Sequence, residues 1–233
     1  MPNEITKPTQ GVVKGHRVTM SPLAARIAAA NLKKKEASFT VKPNRIVLLL
    51  DLSGSMDHHE NGKPKIEHLR DAVENFATCL DSATTSVCVV TFPVEESLVV
   101  APTSEQGLLR LFSHKIHTLG NTPLGEAMSK ALSEFSITTG IIISDGEQTD
   151  GDVCFDLAKD YKEAGIPLDC LHIGHSENGE ETLKKIAEAT GGKYLKFSDV
   201  GNFAKALKYL QPAYRGLLNS GDAATLLGAK EVI

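Results

Sequence analysis

Strand-like and helix-like segments alternate along most of this chain, and that alternation limits its possible folds more than any other feature. The first strand, 45–51, is the apolar run "RIVLLLD". Further strands are predicted at 85–92, 97–102, 139–145, 166–174 and 193–197, and helices at 63–80, 104–117, 123–136, 152–164, 179–190 and 200–210. This pattern predicts an α/β fold: a Rossmann-like, doubly wound, six-stranded and mostly parallel sheet with helices on both faces.

The link between the second and third strands is only "PVEE", residues 93–96. A parallel crossover needs about a dozen residues or more, so these two strands should form an antiparallel hairpin. Sheets of this kind bind ligands beyond the carboxyl ends of their strands, where the chain order reverses direction. The residues that follow the first and fourth strands are therefore the first place to look for a site.

A basic segment precedes the predicted α/β domain. The 233 residues sum to a net charge of −4, yet residues 1–43 carry +6, which leaves −10 for the rest. Ser21-Pro22 is typical of a helix start, and Lys42-Pro43-Asn44 of a linker. We therefore expect a basic N-terminal extension with a short helix (1–43), an α/β domain (44–211) and a C-terminal tail (212–233). The basic arm either contacts something anionic or is a solvated tail.

The four cysteines predict neither zinc binding nor a disulfide framework, since their spacing contains no C-x-x-C pair. No apolar run approaches the roughly 18 residues of a membrane span. The N-terminal residues lack a secretory apolar region, and a transit peptide is the weaker alternative because the arm is rich in lysine. The sequence predicts a cytoplasmic protein that does not enter a membrane.

Polar side chains follow the first and fourth strands. Asp51, Ser53 and Ser55 alternate in "DLSGSM", Asp145 follows the fourth strand in "SDGEQTD", and Thr122 in "NTPLG" stands at the expected cap of the helix at 123–136. Carboxylate and hydroxyl oxygens suit a hard cation, Mg²⁺ first, with Mn²⁺ or Ca²⁺ as alternatives. With the hydroxyls as direct ligands and the acids acting mainly through water, an open position remains for a carboxylate from another molecule.

Together these segments resemble the metal-ion-dependent adhesion site of von Willebrand factor A domains, whose motif D-x-S-x-S is matched by "DLSGSM". The resemblance covers about residues 44–210 and implies a sheet order of 3-2-1-4-5-6 with an antiparallel third strand. It also implies a non-enzymatic function, the capture of a partner protein's Asp or Glu by the bound metal. Intracellular members often serve as adaptors beside AAA-type ATPases, and the last helix, about 200–210, is implied to shift as in integrin inserted domains.

Several alternatives compete with this interpretation. "SGS" is also a common turn, and Thr122 is also a plausible helix cap. A hydrolase is disfavoured because "GHSENG" departs from G-x-S-x-G, and a phosphatase because Ser53 replaces the second acid of D-x-D. Nucleic-acid binding through Lys33-Lys34-Lys35 is disfavoured by the acidic body. The sequence leaves the oligomeric state, the partner and any metal role of His58 and His59 open.

Overall fold

The computed structural model describes residues 44–60, 62–146, 148–174, 176–197 and 229–231. The strands are β1 (Asn44–Asp51), β2 (His59–Glu60), β3 (Lys63–Pro64), β4 (Thr85–Phe92), β5 (Val100–Thr103), β6 (Thr139–Ser144), β7 (Leu168–Ile173), β8 (Tyr194–Phe197) and β9 (Ala229–Glu231). The helices are α1 (Lys65–Thr78), α2 (Gln106–Ser113), α3 (Leu124–Glu134), α4 (Val153–Glu163) and α5 (Glu177–Thr190).

The main sheet has the order β5-β4-β1-β6-β7-β8-β9. Strand β5 is antiparallel to β4, whereas β4, β1, β6, β7 and β8 run parallel. The predicted fold class, the six predicted strands and their order are therefore confirmed. The direction of winding reverses between β1 and β6, which makes the carboxyl ends of these two strands the switch point of the fold.

Two apolar cores cover the two faces of this sheet. Successive side chains of a strand point to opposite faces, so Leu48 of β1 packs toward α1 and α2 while Leu49 packs toward α3, α4 and α5. Both leucines are fully buried. A strand that is apolar on both faces therefore occupies the centre of the sheet. Its polar last residue, Asp51, lies where the carboxyl ends of the parallel strands meet.

The structure differs from the sequence prediction at several boundaries. The third strand begins at Val100 because a short 3₁₀ turn, Glu96–Leu98, precedes it. Helix α2 ends at Ser113 rather than at 117. A small hairpin, β2 and β3, precedes α1, and its second strand takes the first two residues of the helix predicted at 63–80. Strand β9 adds a seventh strand antiparallel to β8. The predicted N-terminal helix, the predicted helix at 200–210 and most of the tail lie outside the described residues.

The helices of the described ranges include none with the length and apolar character needed to cross a membrane. The longest of them, α1 and α5, have 14 residues each and carry several charged side chains.

Candidate functional site

Two loops lie side by side at the carboxyl end of β1. The loop that follows β1 forms an isolated parallel bridge between Ser53 and Gly120. Two backbone hydrogen bonds reinforce it, from Leu119 N–H to the Leu52 carbonyl (2.6 Å) and from Gly54 N–H to the Gly120 carbonyl (2.7 Å). The segment before α3 is thereby fixed against the loop that carries the two serines.

The carboxylates of Asp51 and Asp145 lie at this same edge, because β1 and β6 are parallel neighbours with Leu50 opposite Ile143. Both acids are almost completely buried. The Oδ1 atom of Asp51 accepts the Ser53 N–H (2.8 Å), and its Oδ2 atom accepts the Ser144 hydroxyl. Burial, and then repulsion by Asp145, raises the pKa of Asp51 to about 6. A cation at this edge would relieve that repulsion.

The hydroxyls of Ser53 and Ser55 face each other across the intervening glycine, with their Oγ atoms 2.9 Å apart. Ser53 is buried and Ser55 is partly exposed, so the pair reaches from the interior toward solvent. The 3₁₀ turn at Gly54–Asp57 produces this geometry, since it curls the chain directly after the strand. Strict alternation in the sequence therefore brings the two hydroxyl oxygens to one position.

Thr122 is buried two residues after the bridge at Gly120, and its backbone exchanges hydrogen bonds with Thr149 in the loop after β6. The prediction that Thr122 caps α3 is wrong by one residue, because the helix begins at Leu124 with Pro123 at the cap position. Asp150 satisfies this helix end instead, since its Oδ2 accepts the Glu126 N–H (3.2 Å). Capping therefore does not compete for the Thr122 hydroxyl.

A lysine that the sequence analysis did not anticipate enters the site from the start of α1. The Nζ atom of Lys65 lies 3.0 Å from Asp145 Oδ2, and the two side chains are only 11% and 5% exposed. The other carboxylate oxygen of Asp145, Oδ1, is buried and has no hydrogen-bond partner among the residues that the structure describes. A buried oxygen without a partner is costly, so it marks a place for a further ligand.

The donor set fits a hard divalent cation. It consists of two carboxylates and three hydroxyls, all of them oxygen ligands, and it includes the unpartnered Oδ1 of Asp145. Within the described ranges no three His, Cys, Asp or Glu side chains are grouped to hold a metal. His58 and His59 are exposed, and no such group includes them. Asp51, Ser53, Ser55, Thr122 and Asp145 are the candidate metal residues, and the donor atoms of their side chains are all oxygens.

A buried histidine, His172, contacts the backbone of Asp145. The Nε2 atom of His172 lies 3.1 Å from the Asp145 carbonyl, and its Nδ1 lies 2.9 Å from the Tyr194 hydroxyl. Because a carbonyl can only accept, Nε2 carries the proton and Nδ1 accepts from Tyr194. Burial lowers the pKa of His172 to about 4, so this neutral tautomer persists at neutral pH. The network fixes the backbone of Asp145.

Replacing Tyr194 by phenylalanine is expected to lower the free energy of unfolding by about 1–2 kcal/mol, because Nδ1 of His172 would lose its buried donor. The ring would remain, so the contact of Lys184 Nζ, 5.3 Å above it, would be kept. Denaturant melts measure the effect. The double variant with His172→Phe should lose less than the sum of the two single losses. If the loss in the double variant equals the sum of the two single losses, the hydrogen bond between Tyr194 and His172 contributes nothing to stability.

Comparison with known proteins assigns the fold to a family. The family model for the von Willebrand factor type A domain matches residues 46–212. The chain belongs to the von Willebrand factor type A (vWA) family. Domains of this family commonly act as protein-interaction modules.

Several individual proteins are similar to this vWA chain. The uncharacterized protein YwmC of Bacillus subtilis (strain 168) is 24% identical over 174 residues, which cover 66% of this chain and 76% of that protein. The crystal structure of the conserved hypothetical protein BatB from Bacteroides thetaiotaomicron superposes with a TM-score of 0.59 at 20% identity, covering 71% of this chain and 95% of that one. The SpRpn10 VWA domain gives a TM-score of 0.58 at 16% identity, covering 72% and 95%. These structures share the fold.

Proposed function

We propose that this vWA domain binds Mg²⁺ at a metal-ion-dependent adhesion site and uses the bound ion to capture an Asp or Glu side chain of a partner protein. Asp51, Ser53, Ser55, Thr122 and Asp145 are the proposed metal residues. The observation that carries the proposal is the buried, unpartnered Oδ1 of Asp145 at the edge where the serine hydroxyls meet. Mn²⁺ and Ca²⁺ are the alternative ions.

Each proposed residue has a separate role. The Ser53, Ser55 and Thr122 hydroxyls offer neutral oxygens, while Asp51 and Asp145 orient the hydroxyls and coordinated waters. When bound, the ion would supply a positive charge with an open coordination position. Because one of the two carboxylates already faces Lys65, the ion would not be neutralised by the protein alone. A carboxylate from outside is then the natural ligand for the open position.

The positions of Ser176 and Ser53 weigh against the hydrolase alternatives. Ser176 of "GHSENG" accepts the Gly179 N–H (3.2 Å) and caps α5, so it is a helix cap rather than a nucleophile at an elbow. Ser53 stands where a D-x-D phosphatase has its second acid, and its hydroxyl faces Ser55. For the assembly, the family resemblance suggests an adaptor role, with an AAA-type ATPase as the partner class. We make that part of the proposal.

Calorimetric titration of the full chain with Mg²⁺ or Mn²⁺ tests the metal site. Ser53→Ala and Thr122→Ala are each expected to weaken binding by roughly tenfold or more. Ser133→Ala, which removes an exposed hydroxyl from α3, is the matched control and should bind like the wild type. Adding acetate or a short acidic peptide should tighten metal binding to the wild type. Equal affinity in all four proteins would contradict the site.

A further inference from the structure

The ion pair of Lys65 is unusual in its position. Lys65 is the first residue of α1, where the helix dipole disfavours a positive charge. Its side chain is also largely removed from water, which costs further free energy. The ion pair with Asp145, at 3.0 Å, offsets these two unfavourable contributions to the free energy. The ammonium thus occupies the neighbourhood of a carboxylate that the proposed metal also needs.

The space around Lys65 contains a second acid. A β-carbon added at Gly174, whose φ is +105°, would lie 3.4 Å from Lys65 Nζ and 3.7 Å from Glu60 Oε2. The ammonium and the Glu60 carboxylate therefore both lie close to the position of that β-carbon. Lys65 thus pairs with Asp145 and has the Glu60 carboxylate as a second acid nearby.

We propose that Lys65 is a built-in counter-cation that competes with the divalent ion for Asp145. This inference rests on the proposed metal site. The ammonium makes the loaded site one unit charge more positive than the oxygen ligands alone would leave it. It therefore weakens the binding of the metal by itself and strengthens the binding of a carboxylate to the metal-loaded site. Lys65 in this way favours binding of the metal together with a partner carboxylate over binding of the metal alone.

Titration of the full-length protein with Mn²⁺, followed by electron paramagnetic resonance, tests the competition. Lys65→Met is expected to bind Mn²⁺ roughly tenfold tighter than the wild type, or more, because the repulsion between two nearby cations is removed. Lys63→Met is the matched control, since Lys63 lies two residues away and pairs with the exposed Asp71. Its affinity should stay within about twofold of the wild type, because exposed charges are screened.

Acetate binding distinguishes competition between Lys65 and the metal from a general disturbance of the site. The metal-loaded Lys65→Met protein should bind acetate several-fold more weakly than the metal-loaded wild type, in the opposite direction to its gain in Mn²⁺ affinity. A lysine with only a structural role would not move the two affinities in opposite directions. Thermal melts add a second readout: Lys65→Met should be less stable than the wild type in chelator, and metal should narrow that gap.

Lys65→Gln, which keeps a hydrogen-bond donor without the charge, replaces Lys65→Met if the latter does not fold. If the wild type binds Mn²⁺ and neither variant binds it more tightly, the counter-cation role is overturned while the metal site stands. If neither the wild type nor any variant binds Mn²⁺ or Mg²⁺, the proposed function fails and this inference fails with it.

Discussion

Replacing Asp51 by asparagine is expected to stabilise the metal-free protein at neutral pH by about 3 kcal/mol, which raises its thermal midpoint by about 6–12 °C. Burial and the neighbouring Asp145 raise the pKa of the Asp51 carboxyl from 3.8 to about 6. At pH 7.5 the folded protein must therefore hold a buried charge that asparagine lacks. The amide can still accept from Ser53 N–H and can donate to the Ser144 hydroxyl.

The same shift fixes the pH range of this effect. Because the folded pKa lies above the unfolded one, the contribution of Asp51 to stability is fully present below pH 3.8 and is lost as the pH rises to about 6. The advantage of asparagine should therefore be large at pH 7.5 and nearly absent at pH 4. Denaturant melts in chelator at both pH values measure it. Asp156→Asn, which removes an exposed acid from α4, should change stability by less than about 0.5 kcal/mol.

Added Mg²⁺ should remove most of the stability advantage that the asparagine variant has over the wild type. At roughly 100 times its dissociation constant a ligand adds about 2.7 kcal/mol to the free energy of unfolding, which nearly closes the gap. The asparagine variant should not respond to the ion. A site that trades stability for binding would behave in this manner, since the charge that destabilises the empty protein is the charge that holds the metal. An equal rise in both proteins would exclude Asp51 from the metal site.

The sequence predicts the framework of this site but not its electrostatics. Four of the five candidate metal residues, all but Thr122, stand at the ends of β1 and β6, which strand periodicity and the switch-point rule place together. The boundaries of β4 were also predictable, since its apolar run ends at Pro93. These features depend on local patterns, which a single sequence displays directly.

The features that were missed are contacts between residues far apart in the chain. Lys65 pairs with a carboxylate 80 residues away, and Asp150 satisfies a helix end 24 residues before it. Neither residue has a local signature: "KPKIEHL" is an ordinary helix start, and Asp150 is one of several acids in its loop. His172 likewise lies within the strand predicted at 166–174 and has no local signature of its contact with Asp145. Their roles come from the docking of α1, α3 and β7 around the site, which only the folded chain defines.

Replacing Gly179 by alanine is expected to lower the free energy of unfolding by about 2–4 kcal/mol and to weaken metal binding. A β-carbon at Gly179 would lie 2.1 Å from the Asp145 carbonyl oxygen and 2.9 Å from the Gly146 α-carbon. Both neighbours are backbone atoms, so the first turn of α5 would have to move away from the loop after β6. That movement would shift Asp145, whose carbonyl also contacts His172. Denaturant melts and Mn²⁺ titration measure the two effects.

Gly107→Ala is the matched control, because it introduces the same methyl group into another helix. A β-carbon at Gly107 would meet nothing within 4 Å in the described part of the chain, so this substitution should be neutral or stabilise the protein by up to about 1 kcal/mol. Helix propensity alone predicts that Gly179→Ala and Gly107→Ala change the free energy of unfolding in the same direction. Opposite signs would therefore show that Gly179 is required by the close approach of α5 to Asp145. Loss of stability at Gly179 without loss of metal affinity would mean that the site tolerates movement of Asp145, which is incompatible with its proposed role in binding the ion.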